Sequence, residues 1–116
     1  MTDQEHLLSE DPRQAMEEMI KLTEELTLRI ETETNAVATN DGTTFTMNEM
    51  NKESVADMYQ QASNEFHERI NEFKKVDPNL IRRLDVAQKS LGQSTKNNLA
   101  LLEKIQKEQK EQEEKK

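Results

Sequence analysis

From Pro12 onward, apolar residues return every three or four positions: Met16, Met19, Ile20, Leu26, Ile30 and Val37. That spacing gathers them on one side of a helix. Two gaps in the stripe are filled by Thr23 and Glu33, so the predicted inner face is interrupted by polar side chains. Glu17, Glu18, Glu24, Glu25 and Glu31 fall largely on the wet side. The helix has a marked start in Asp11-Pro12-Arg13-Gln14. Asp11 suits the capping position, Pro12 the first helical position, and Gln14 can close a capping box. The stripe stops near Ala38.

Residues 39–44, TNDGTT, predict a loop. Asn40 and Asp41 favour turns, and Gly42 is free to take a positive φ. A β-like excursion over 43–46 is too short to found a sheet. A second helix is predicted to begin between Thr46 and Asn51. Its inward positions are Val55, Tyr59 (with Met58 alongside), Ala62, Phe66, Ile70 and Phe73. Val76-Asp77-Pro78-Asn79 is a second cap-plus-proline signal, and Pro78 disfavours helix at Asp77.

The third helix follows with Leu80, Ile81, Leu84, Ala87, Leu91, Ser94, Thr95, Asn98, Leu101, Leu102 and Ile105. It is predicted to run about 28 residues, or about 40 Å. Beyond Ile105 nothing is apolar, and the tail QKEQKEQEEKK alternates sign. It is helical through pairs four residues apart, or frayed. A short link at Asp77-Pro78 folds helices two and three antiparallel, while a longer loop joins one and two. The fold class is therefore all-α: an elongated antiparallel three-helix bundle, or a helical hairpin with a third helix. Residues 1–10 are expected to be a flexible N-terminus, 11–105 one bundle, and 106–116 a charged tail.

Composition narrows the picture. Leu, Ile, Val and Phe make up only 23 of 116 residues, which rules out a thick core. Two glycines and two prolines suit long helices rather than a sheet. There is no cysteine, hence no disulfide or thiolate metal site. No run of about 18 apolar residues is present to cross a membrane. The opening MTDQEHLLSEDP is acidic and lacks the basic-then-apolar order of a secretory signal. The net charge is −8, and residues 1–46, with 11 acids and 3 bases, carry all of it. Such a surface repels phosphate backbones and anionic lipid, which argues against nucleic-acid and membrane-surface roles.

Candidate chemistry is sparse. His67 lacks partners three or four residues away, and residue 64 is asparagine, so the E-x-x-H pattern of di-iron bundles is missing. A solvated surface histidine is expected. His6 lies in the segment expected to be flexible. Acidic pairs such as Glu17-Glu18, Glu24-Glu25 and Glu113-Glu114 read as wet helix faces, because a thin bundle offers no cleft to perturb them. Gly42 and Gly92 stand alone, so no phosphate-cradling loop exists. No enzyme activity, metal or cofactor is expected. Met16, Met19, Met47, Met50 and Met58 are read as core filling, since Met16 and Met19 fall on the stripe; the alternative is a promiscuous binding groove.

The stretch SLGQSTKNNLALLEKI, residues 90–105, weakens its own seam. If Leu84, Leu91, Asn98 and Ile105 share a heptad position, Asn98 faces inward. A buried asparagine lowers stability but fixes register and partner choice. Thr23, Thr27 and Thr34 on helix one are placed to answer it. Gly92 either permits close approach of another helix or costs about 1 kcal/mol against alanine. The layer is a register device within the bundle, or a groove that a client helix completes.

LTEEL (22–26), MNKESVADMY (50–59) and NLIRRLDVAQKSLGQSTKNNLALLEKI (79–105) resemble the FlgN-type flagellar export chaperones in their short form. Lys52, Tyr59, Leu91, Asn98, Leu101 and Leu102 carry the likeness, which extends over about residues 13–105. The resemblance implies a cytoplasmic, non-enzymatic helical protein. It would hold the helical termini of hook-associated proteins and deliver them to the type III export apparatus. The family's binding region maps here to Leu91, Thr95, Asn98, Leu101, Leu102 and Ile105. That region often continues as an amphipathic segment, whereas 106–116 are entirely polar. The alternative is a structural coiled coil that pairs with itself, as a homodimer.

Overall fold

A computed structural model describes residues 6–114. Four helices follow in order: α1 (Pro12–Ala38), α2 (Gly42–Glu68), a single turn α3 (Ile70–Phe73) and α4 (Pro78–Glu114). There is no strand among the described residues. The chain runs up, down and up again. Lys52 of α2 reaches Glu33 and Arg69 reaches Ser9, so α1 and α2 are antiparallel. Arg13 pairs with Asp77 at one end and Thr34 with Asn98 near the other, so α1 and α4 are parallel. The antiparallel bundle expected from the pattern is therefore the observed architecture.

The bundle is slender. Its extents are 60 × 33 × 21 Å and its radius of gyration is 17.9 Å, against about 13 Å for a compact chain of this length. Helix α1 is the shared wall, packed against both α2 and α4. It earns that place by burying the stripe from Ala15 to Ala36, polar gaps included. Thr23 and Glu33 are both buried, as the spacing requires. Thr23 and Thr27 satisfy their hydroxyls on the carbonyls four residues back, at 2.7 and 2.9 Å, which suits threonine inside a helix.

The link between α1 and α2 differs from expectation. It is three residues, 39–41, rather than a long loop. Asn40, at φ 59°, supplies the left-handed residue, not Gly42. Asp41 N–H bonds to Ala36 O at 2.8 Å and Asn40 N–H to Val37 O at 3.2 Å. This is the Schellman closure, in which asparagine can replace glycine. Asp41 then caps α2 at once, accepting from Thr44 N at 3.1 Å and Thr44 Oγ1 at 2.6 Å. The Thr44 side-chain and backbone bonds hold its carboxyl below the usual range. Because that cap works from residue 41, α2 begins at Gly42, and the β-like excursion over 43–46 is helix.

Two further boundaries move. The second predicted helix breaks at Arg69, leaving Ile70–Phe73 as a separate turn. Ile70 is consequently exposed while Phe73 is buried. The last helix runs 37 residues, not about 28. Its final stretch from residue 106 has no buried position, and it stays helical with alternating charge alone. Gly92 is the plain costly kind: a Cβ there would meet nothing within 4 Å, so no helix approaches it.

Nor does the expected flexible N-terminus describe residues 6–10. Leu8 is only 3 % exposed and belongs to the main apolar cluster with Ala15, Met16, Met19, Ile20, Ala62, Phe73, Leu80 and Leu84. Leu7 packs half-buried beside it. Adjacent leucines are a large apolar surface, and the bundle end provides a place to bury it. The remaining part of that expectation, residues 1–5, lies outside the described residues. His6 and His67 are both exposed, and His67 Nδ1 lies 2.8 Å from the carbonyl of Ser63.

Candidate partner-binding site

Helices α2 and α4 both rest on α1 but not on each other. No Cα of one comes within 8 Å of a Cα of the other, although directly packed helices have axes only about 8–10 Å apart. The two helices therefore leave a furrow between them. At the α3 end it holds a cavity of about 220 Å³, floored by Met16, Phe66, Phe73 and Leu84 and flanked by Ile70 and Ile81. Phe66 and Phe73 stack at 4.5 Å. Residues seven apart lie on one helical flank. Ile81 and Gln88 both line the cavity, and Thr95 and Leu102 continue their row. A second groove, of about 620 Å³, lies on the other flank between α1 and α4. Its lining is mostly apolar, with Ile20, Val86 and Ala87, and carries Arg82, Arg83, Glu24 and Asn79 as well; none of the six residues singled out by resemblance lines it.

Those six occupy the inner side of α4 unevenly. Asn98 is buried; Leu91, Leu101, Leu102 and Ile105 are half-buried; Thr95 is exposed, with its hydroxyl tied to Leu91 O at 2.8 Å. Ile105 lines a shallow depression with Val37, Gly42 and Phe45 at the turn end.

Asn98 is part of a layer that joins all three long helices. Its Nδ2 donates to Glu33 Oε2 at 2.6 Å and to Thr34 Oγ1 at 2.9 Å. Of the three threonines placed to answer it, only Thr34 does. Lys52 of α2 donates to the other Glu33 oxygen. Glu49 Oε1 lies 3.2 Å from Lys52 Nζ. Burial pushes the Glu33 carboxyl up, but hydrogen bonds with Glu49, Lys52 and Asn98 together hold it below its ordinary value. Glu49 is pushed the other way by its hydrogen bond to Glu33 and by burial. Nearby, Asn48 Nδ2 donates to Arg29 O at 2.8 Å and Ser94 Oγ to Glu31 at 3.3 Å. Glu33 thus links Lys52 and Asn98, two residues that carried the resemblance.

Sequence reasoning missed Asn48, Glu65 and Arg69. Asn48, Val55 and Ala62 of α2, and Arg69 that caps its end, form a row of spacing seven, with the first three buried and Arg69 half-buried. Read strictly, that period would have placed Asn48 and Arg69 inward. Met47, Met50 and Met58 are exposed at 69, 78 and 41 %, so core filling holds for Met16 and Met19 but not for these three. They sit on α2 off that row.

Among the described residues, no group of three or more histidine or acidic side chains is arranged to hold a metal. No helix there is long and apolar enough to cross a membrane. Comparison with protein-family models, curated proteins and solved structures gave no match to this chain.

Proposed function

We propose that this chain is a non-enzymatic export chaperone of the FlgN type, which lays an amphipathic client helix into the furrow between α2 and α4. The observation that carries this reading is the gap between those two helices. Met16, Phe66, Phe73 and Leu84 floor its cavity, Ile81 and Gln88 wall it, and Thr95 and Leu102 follow at the same spacing of seven. A helix placed there would complete a four-helix arrangement and cover apolar surface that a chain this thin does not cover itself. The client class is the helical termini of hook-associated proteins, delivered to the type III export apparatus in the cytoplasm. Within this reading Thr95, Leu91, Leu101, Leu102 and Ile105 contribute to the client surface. Asn98 sets register beneath it, because Glu33 and Thr34 already occupy its amide.

The test is capture of purified hook-associated proteins by the full chain and by Leu102→Asp and Ile81→Asp variants. Both variants should lose capture at least tenfold with helix content unchanged by circular dichroism. Unchanged capture by both would remove the reading. Self-association is the second reading, favoured by the exposure of Ile70 and Ile81 on the two walls of the furrow. Light-scattering mass across dilution separates the two. A dimer that persists to nanomolar concentration, with no client capture, supports it.

A further inference from the structure

The N-terminal segment is held in an unusual way. Residues 6–11 are not helical, and their backbone, more than their side chains, makes the hydrogen bonds to the bundle. Glu65 of α2 takes the N–H of Leu7 on Oε2 at 2.8 Å and that of Leu8 on Oε1 at 2.9 Å. Glu18 of α1 takes the N–H of Ser9 at 2.8 Å and its hydroxyl at 2.6 Å. Arg69, at the α2–α3 break, donates to Ser9 O at 2.7 Å and Glu10 O at 2.8 Å. Glu72, at 3.3 Å, and the face of Phe73, at 4.9 Å, orient that guanidinium. Three consecutive amides and two carbonyls are thereby read by three charged side chains. One leucine, Leu8, drops into the apolar cluster.

This is the chemistry of a peptide-recognition site. Main-chain bonds supply grip, and a pocket for one side chain supplies selectivity. Charge-assisted bonds of this kind are the stronger class. The clamp adjoins the furrow at Phe73, whose ring lies under Arg69 and also floors the cavity. It takes a bent, non-helical segment, whereas the furrow fits a helix.

We infer that Glu18, Glu65 and Arg69 form a binding site for a bent, non-helical Leu-Leu-Ser segment, filled in cis by residues 7–10 and open to the same segment in trans once the tether is released. In the intact chain the tethered copy outcompetes a free one, because a short link holds it at an effective concentration on the order of millimolar.

The experiment uses the full chain with Leu8→Ser, which empties the pocket, and a fluorescein-labelled peptide of the sequence His6–Pro12. Fluorescence anisotropy should show saturable binding to Leu8→Ser. Binding should be at least tenfold weaker to the unaltered chain, and at least tenfold weaker to Leu8→Ser/Glu65→Gln. A scrambled peptide should not bind. No binding to a Leu8→Ser chain of normal helix content overturns the inference, and so does equal binding to all three chains. Should Leu8→Ser lose its helix signal, amide exchange of the unaltered chain decides. The Leu7 and Leu8 amides should exchange at least tenfold faster than those of Met19 and Ile20, because the segment lifts while the bundle stays folded. Exchange of all four at one rate would mean that the segment leaves only when the bundle unfolds, and would overturn the inference equally.

Discussion

The two ends of this bundle are made of opposite materials. At the α3 end, Leu8, Met16, Met19, Ile20, Phe73, Leu80 and Leu84 meet as a dry cluster. Toward the 39–41 turn the same three helices meet through Glu33, Thr34, Asn48, Lys52 and Asn98. Apolar burial is non-directional and tolerates more than one packing. A carboxylate that must serve an amide and an ammonium does not, because any slip of register leaves a charge or an amide unpaired. One end therefore supplies most of the stability, and the other selects which helical register is adopted.

If that division is right, the sharpest blow falls at the dry end. Phe73→Ala should cost about 3–5 kcal/mol, read as a large drop in the urea midpoint, and would leave a domain of ordinary stability barely folded. A loss below about 1 kcal/mol would contradict the assignment. Glu33→Ala, at the wet end, should cost less, about 1–3 kcal/mol. Lys52 keeps partial access to water, while the Asn98 amide loses its shorter bond. The same variant should broaden the Asn98 and Lys52 side-chain resonances more than Phe73→Ala does.

Acid offers a smaller probe. Burial raises the Glu65 carboxyl, yet the amides of Leu8 and Leu7 and the Gln61 side chain outweigh it and leave the group below its ordinary 4.5. A carboxylate depressed by folding adds stability that is complete above that value and lost as pH falls through the lower folded one. Thermal midpoints should therefore fall below pH 4.5, and Glu65→Gln should flatten this part of the profile. The mildest change goes the other way. Gly92→Ala meets open space and should stabilise α4 by about 1 kcal/mol. A destabilised variant would mean that Gly92 faces a neighbour in solution.

How much of this could be read from the chain depended on whether one residue or two decided the outcome. The stripe of α1 was legible down to its flaws, because a period of 3.6 places Thr23 and Glu33 inward whatever their chemistry. Asp11 and Pro12 marked a boundary for the same local reason. The 39–41 turn was misread because either Asn40 or Gly42 could have taken the left-handed position, and only the Ala36 and Val37 carbonyls decide between them. Asn98 was legible as an inward amide, but its main partner, Glu33, lies 65 residues away. The Glu65–Leu8 contact is 57 residues long in sequence and carries no local signature at all.

Helix α4 outlasts its neighbours. Its 37 residues span about 55 Å, whereas α1 covers about 40 Å. The last turns, from residue 106, touch no core and are held only by their own ladder and their alternating charges. Such a rod has no reason to melt with the rest of the molecule. Heating should bleed away ellipticity in a sloping baseline well before the cooperative transition, and salt should steepen that slope by weakening the charge pairs.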